Sequence, residues 1–125
     1  MAKSVKAGYQ ILVVDDEPTV CKAIQMMLKY FGHEVQVAGG GAVALAMFET
    51  RPFDLVITDY LMPEMRGDQL VTHLRQRRPD QRIILATAFA EDFLAHGKSG
   101  GGVDYVLTKP FSLEELRAAI AKVMG

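Results

Sequence analysis

Five short runs of apolar, largely β-branched residues recur along this chain, and segments of helical period fill the intervals between them. The runs are Ile11–Val14, Val35–Ala38, Leu55–Thr58, Ile83–Ala86 and Tyr105–Thr108. Each is almost continuously apolar, which predicts strands buried on both faces. The clearest helical segment is Val20, Ala23, Ile24, Met27, Leu28 and Phe31, spaced by threes and fours along one face and stopped by Gly32. Leu45 with Phe48 marks a second helix and Leu70, Val71 and Leu74 a third. Leu113, Leu116, Ile120 and Val123 form the last, opened by Ser112 with Glu115 three residues on, a capping-box pattern. A strand-helix alternation repeated five times predicts an α/β fold, with a parallel sheet, right-handed crossovers and helices on both faces. The interval Glu91–Gly102 is the weak member. Its apolar content is thin, and Gly97, Gly100, Gly101 and Gly102 crowd its second half.

At 125 residues the chain is sized for one domain, given roughly 150 residues per domain. Residues 1–8 carry no pattern and are expected to be a loose tail, leaving 9–125 as the domain. Fourteen Lys and Arg against fifteen Asp and Glu leave a net charge of −1, which argues against a nucleic-acid grip or a polybasic membrane patch. Cys21 has no second cysteine to pair with, so nothing requires an oxidising compartment. The apolar runs are too short to span a membrane, and Lys3 and Lys6 are followed by no signal-peptide apolar region. A cytoplasmic domain is the expectation. The chain ends directly after the last helix, so no effector domain is expected in it.

In an open parallel sheet, ligands sit beyond the carboxyl ends of the strands, where the strand order reverses. The first strand runs into Asp15-Asp16-Glu17, the third into Asp59, the fourth ends at Thr87 and the fifth at Lys109-Pro110. The second ends in Ala38-Gly39-Gly40, which carries no chemistry. With the order 2-1-3-4-5, the switch point gathers Asp15, Asp16 and Asp59, with Thr87 and Lys109 on the next strands over. Three carboxylates in one pocket repel unless a cation or proton intervenes, and oxygen ligands alone favour Mg²⁺. A lysine and a threonine hydroxyl facing that site suit a phosphoryl group, and Asp59 can itself be the nucleophile.

Each residue alone has a plainer reading. Asp15-Asp16 before Pro18 can cap a helix, Asp59 can be a turn residue, Thr87 a strand residue and Lys109 a solvated charge. Their joint placement at strand ends on one edge favours a site. His33, His73 and His96 show no ligand spacing and read as surface residues. Met26, Met27, Met62 and Met65 read as core or loop packing.

With these residues in place the chain resembles the receiver domain of two-component response regulators over residues 10–124. The resemblance rests on Ile11-Leu12-Val13-Val14-Asp15-Asp16-Glu17, Asp59-Tyr60-Leu61-Met62-Pro63-Glu64-Met65-Arg66-Gly67, Thr87-Ala88 and Lys109-Pro110-Phe111. It implies a (βα)₅ flavodoxin-like doubly wound sheet of order 2-1-3-4-5. Asp59 is implied as phosphoacceptor, Asp16 as direct Mg²⁺ ligand, Asp15 as its companion and the Leu61 carbonyl as the remaining protein ligand. Thr87 and Lys109 are implied to bind phosphoryl oxygens, and the Lys109-Pro110 bond to be cis. A sensor histidine kinase or histidine phosphotransfer domain is the implied partner. On this reading the domain is a signalling phosphoacceptor, no separate enzyme, and phosphorylation shifts the surface of the last two strands and helices.

Competing classes fit less well. A flavodoxin needs a hydroxyl- and Gly-rich loop where Asp15-Asp16-Glu17 stands. A haloacid-dehalogenase phosphatase needs a second Asp where Leu61 stands, and no P-loop occurs. A phosphate-independent receiver acting as an interaction module is the remaining alternative. Leu61 and Phe89, bulky and unable to orient water, lead us to expect an acyl phosphate lasting on the order of minutes or longer. Val106 stands where many receivers have an aromatic residue, with Tyr105 one position off and so on the opposite face. Helix four is expected to be short, at most about Glu91 to Lys98, with signalling by ordering of residues 91–103 in place of a Thr–Tyr rotamer switch.

Overall fold

The computed structural model describes residues 8–96 and 102–125. The order of elements is β1 (Gln10–Val14), α1 (Pro18–Tyr30), β2 (Glu34–Ala38), α2 (Gly41–Thr50), β3 (Leu55–Thr58), α3 (Gly67–Arg77), β4 (Arg82–Thr87), α4 (Ala90–His96), β5 (Tyr105–Thr108) and α5 (Leu113–Met124). The strands form one sheet in the order β2-β1-β3-β4-β5, and every neighbouring pair is parallel. The α/β alternation and the strand order expected from the sequence are both present.

Period-two alternation in the central strands builds two cores from one sheet. Ile11 and Val13 of β1, Leu55 and Ile57 of β3, and Ile84 and Ala86 of β4 face α1 and α5, meeting Ile24, Leu28, Leu116 and Ile120. Leu12, Val14, Val56 and Ile83 face the other way, meeting Ala44 and Phe48 of α2 and Leu70 and Leu74 of α3. A smaller cluster of Tyr60, Leu85 and Phe93 continues that second face toward α4, with Val103 and Val106 packed against it. Burying each such side chain contributes about 1.5–3 kcal/mol, which is why the helices dock where their apolar stripes point.

Burial on both faces holds for β1, β3 and β4 but not for the edge strands. In β2, Glu34, Gln36 and Val37 are exposed, and in β5 only Leu107 is buried. An edge strand has a neighbour on one side alone, so its apolar run does not imply full burial. Tyr105 packs against the α1/α5 core and Val106 against the α4 cluster, as their one-residue offset requires.

The helix boundaries follow local chemistry. Pro18 opens α1, and Gly32 at φ 93° turns the chain after it. Ser112 Oγ accepts the Glu115 N–H at 3.0 Å while Glu115 Oε1 accepts the Ser112 N–H at 2.8 Å, completing the capping box of α5. The described part of α4 starts one residue before the expected Glu91. Lys98, Gly97, Gly100, Gly101 and residues 1–7 lie outside the described residues, while Gly8 donates its N–H to the Gly32 carbonyl at 2.9 Å.

Two burial assignments change. His33 is 4 % exposed, stacked on Tyr9 at a ring-centroid distance of 5.2 Å with its Nδ1 accepting the Tyr9 N–H at 3.2 Å. The Gly32 turn folds it inward beneath β1, which its sequence neighbours alone do not reveal. Met26 is 62 % exposed on α1, so it packs neither core nor loop, whereas Met62 is buried. His73 on α3 is half-buried.

Candidate functional site

The strand ends around the switch point converge as the register demands. Val14 pairs with Thr58, Thr58 with Leu85, and Thr87 with Thr108, so the residues after β1, β3, β4 and β5 share one edge. Asp15, Asp16 and Asp59 each offer an oxygen, and these atoms all lie within 4.8 Å of one another. Asp15 is buried, Asp59 half-buried and Asp16 exposed. The gradient gives one carboxylate fixed in the protein and one facing solvent.

Lys109 closes the group. Its Nζ donates to Asp15 Oδ2 at 2.6 Å and to Asp59 Oδ2 at 3.3 Å. The Lys109-Pro110 peptide bond is cis. Burial by itself would lower the Lys109 pKa, but the hydrogen bond to Asp15 and the charges of Asp59 and Asp15 outweigh it and raise the pKa above its ordinary value. The lysine is therefore firmly cationic.

Asp59 Oδ1 accepts the Tyr60 N–H at 2.7 Å. Burial pushes the Asp59 carboxyl above its usual range, against the opposing pull of Lys109, the Tyr60 N–H and the Thr87 hydroxyl. Thr87 is fully buried, and its Oγ1 accepts the Phe89 N–H at 3.0 Å. Two residues beyond Asp59 and Thr87, Leu61 and Phe89 are 39 % and 51 % exposed.

The capping alternative for Asp15-Asp16 does not hold. Glu17 occupies the cap position of α1 without a side-chain capping bond. Asp15 Oδ1 instead accepts the Glu17 N–H at 3.0 Å, a turn contact that aims the other oxygen at Lys109. All five side chains expected at the site are brought together.

Three contributors were not assigned roles from the sequence. Tyr60 acts through its main chain, which carries no residue-type signature. Gly67 leaves room for the chain to pass the loop that carries Asp59, since a Cβ there would drive into the Asp59 carbonyl oxygen. Its N–H donates to the Tyr60 carbonyl at 2.6 Å. Cys21 lies beneath the site with its thiol 3.3 Å from the Asp15 carbonyl oxygen, and burial together with the Asp15 charge pushes its pKa up.

An open parallel sheet with an acidic trio and a shared ammonium at its switch point defines a phosphoacceptor class of α/β signalling domain. The chain belongs to the response regulator receiver domain family, whose model matches residues 11–121. It is similar to the probable transcriptional regulatory protein TcrX of Mycobacterium tuberculosis, 41% identical over 108 residues, covering 85% of this chain and 45% of that protein. It is also similar to the alkaline phosphatase synthesis transcriptional regulatory protein PhoP of Bacillus subtilis, 35% identical over 116 residues, covering 92% and 48%. The chain thus spans about half the length of the curated relatives it matches.

Among solved structures, the response regulator TrrA of Thermotoga maritima in complex with Mg²⁺-BeF has a TM-score of 0.86 and 33% identity, over 93% of this chain and 99% of that one. The chemotaxis protein CheY4 of Vibrio cholerae has a TM-score of 0.88 and 28% identity, over 94% and 100%. Members of this family are the signalling phosphoacceptors of two-component systems. Among the described residues no helix is long and apolar enough to cross a membrane.

Proposed function

We propose that Asp59 takes a phosphoryl group from a phosphohistidine on a sensor histidine kinase or histidine phosphotransfer domain, and that residues 9–125 act as one receiver in the cytoplasm. The observation that carries this reading is the ammonium of Lys109 shared between Asp15 at 2.6 Å and Asp59 at 3.3 Å. That arrangement sets a nucleophile, a fixed carboxylate and a cation at one strand edge.

The donor set fits Mg²⁺, because it consists of carboxylate oxygens and a hard cation takes oxygen ligands. Asp15, Asp16 and Asp59 would hold the ion together with the Leu61 main-chain carbonyl. When bound, Mg²⁺ supplies charge neutralisation for the carboxylates and the incoming phosphoryl oxygens.

Asp59 brings a carboxylate oxygen to phosphorus, forming the P–O bond as the P–N bond to the donor imidazole breaks. The electron pair of that bond returns to the imidazole, which leaves neutral because its other ring nitrogen keeps a proton. Lys109 holds its positive charge where the phosphoryl oxygens arrive, and Thr87 offers its hydroxyl on the neighbouring strand. Positioning and charge neutralisation do most of the work in such a transfer. The same groups assist the later hydrolysis.

The test uses acetyl phosphate with Mg²⁺ and mass spectrometry of the intact chain. The wild type gains one acid- and base-labile phosphoryl group, and Asp59→Asn gains none, because an amide is a far weaker nucleophile. Equal labelling of the two would refute the acceptor assignment, and an unlabelled wild type would favour the phosphate-independent module.

A further inference from the structure

Among the described residues of α4, Phe93 is the one that is buried; Glu91, Asp92, Leu94 and Ala95 are exposed. A helix with one buried side chain among its described residues is an element of low local stability, and what that side chain packs on bears directly on the helix. The ring against which Phe93 packs is Tyr60, at a centroid distance of 5.2 Å and an interplanar angle of 75°, an edge-to-face contact. Leu85 completes the cluster, with Val103 and Val106 beside it. Tyr60 is itself 4 % exposed. It follows Asp59 directly, and its own N–H is the donor to Asp59 Oδ1 at 2.7 Å. Its carbonyl is held from the other side by the Gly67 N–H at 2.6 Å. One residue therefore touches the acceptor through its main chain and the anchor of α4 through its side chain.

We propose that the Tyr60–Phe93 contact is the route by which the state of Asp59 reaches α4 in this protein, an inference that rests on Asp59 being the phosphoacceptor. β5 offers no aromatic on this face, where Val106 stands, and Val106 is stiff at χ1. A phosphoryl group on Asp59 adds charge and three acceptor oxygens at the foot of the Tyr60 main chain. Tyr60 is then held harder at its N–H, its ring loses freedom, and Phe93 gains a fixed surface to pack on. α4 becomes more ordered without any rotamer exchange in β5. Tyr60 is a positioning residue here, with no part in the transfer itself.

Hydrogen exchange of the α4 amides, read with and without Mg²⁺ and beryllofluoride, tests this on the full chain. In the wild type exchange of these amides slows about tenfold on adding both, a shift typical of a local opening made one step rarer. In Phe93→Leu, which leaves the site intact and still accepts phosphate from acetyl phosphate, the slowing falls below about twofold. Tyr60→Leu gives the same loss, and Tyr60→Phe, which keeps the ring, restores the wild-type response. Wild-type slowing in labelled Phe93→Leu would overturn the inference, as would a labelled wild type whose α4 exchange does not change. A wild type that takes no label overturns the acceptor assignment and the inference together, so the two failures are told apart by the labelling.

Discussion

His33 sits 4 % exposed between Tyr9 and Phe31, with Nδ1 already committed to the Tyr9 N–H and Nε2 without a partner among the described residues. Burial lowers its pKa below the ordinary value of 6.5. The folded state therefore binds fewer protons than the unfolded chain as the pH drops through 6.5, and stability falls from that point downward to the folded-state value. Urea titrations across this window should show the loss. His33→Asn, which keeps an acceptor near the Tyr9 N–H and does not titrate there, should flatten it. An unchanged slope in the variant would remove His33 as the cause. The sequence concealed this residue because burial of one polar side chain depends on where a turn throws it. Asp15, Asp16, Asp59, Thr87 and Lys109 were legible for the opposite reason: each lies within two residues of the end of an apolar run, so the topology alone places it.

At the scale of elements, the join between β3 and α3 is closely packed beside Asp59. Gly67 is tolerated there for lack of a side chain, since a Cβ would meet the Asp59 carbonyl oxygen and the Tyr60 main chain. Backbone cannot yield as the end of a flexible side chain can. Gly67→Ala is expected to cost about 1–3 kcal/mol, the usual range for overpacking, and to slow labelling of Asp59 by moving its main chain. Urea denaturation and the labelling time course measure the two effects. Elements were legible in proportion to their share of the core. The central strands, with Ile11–Val14 at 0–1 % exposure, announce themselves as unbroken apolar runs. α4 does not, because one buried side chain among its described residues leaves no periodicity to read, and the pairing of Phe93 with Tyr60 joins residues far apart in the chain.

For the molecule as a whole, the proposed Mg²⁺ site links ion binding to folding through Lys109. Asp15 is 2 % exposed at its side chain, and Lys109 is its near counter-charge. Lys109→Ala leaves a buried carboxylate unpaired, which costs about 3–5 kcal/mol. At the proposed site Mg²⁺ would bind the folded state in preference to the unfolded one and stabilise the wild type by about 2.7 kcal/mol at a hundredfold excess over its Kd. The variant should be less stable without Mg²⁺ and should gain more from it than the wild type does. Equal gains in urea titrations would show that Lys109 and the ion do not share Asp15. The pair also spans most of the molecule, joining positions 94 apart in the chain. During synthesis on the ribosome, Asp15 and Asp59 emerge long before Lys109 does. The cluster cannot close until the fifth strand has left the exit tunnel and joined the sheet edge. A nascent or prematurely terminated chain thus lacks the ammonium that the proposed transfer uses, and on that reading competence to accept a phosphoryl group certifies that β5 is in place.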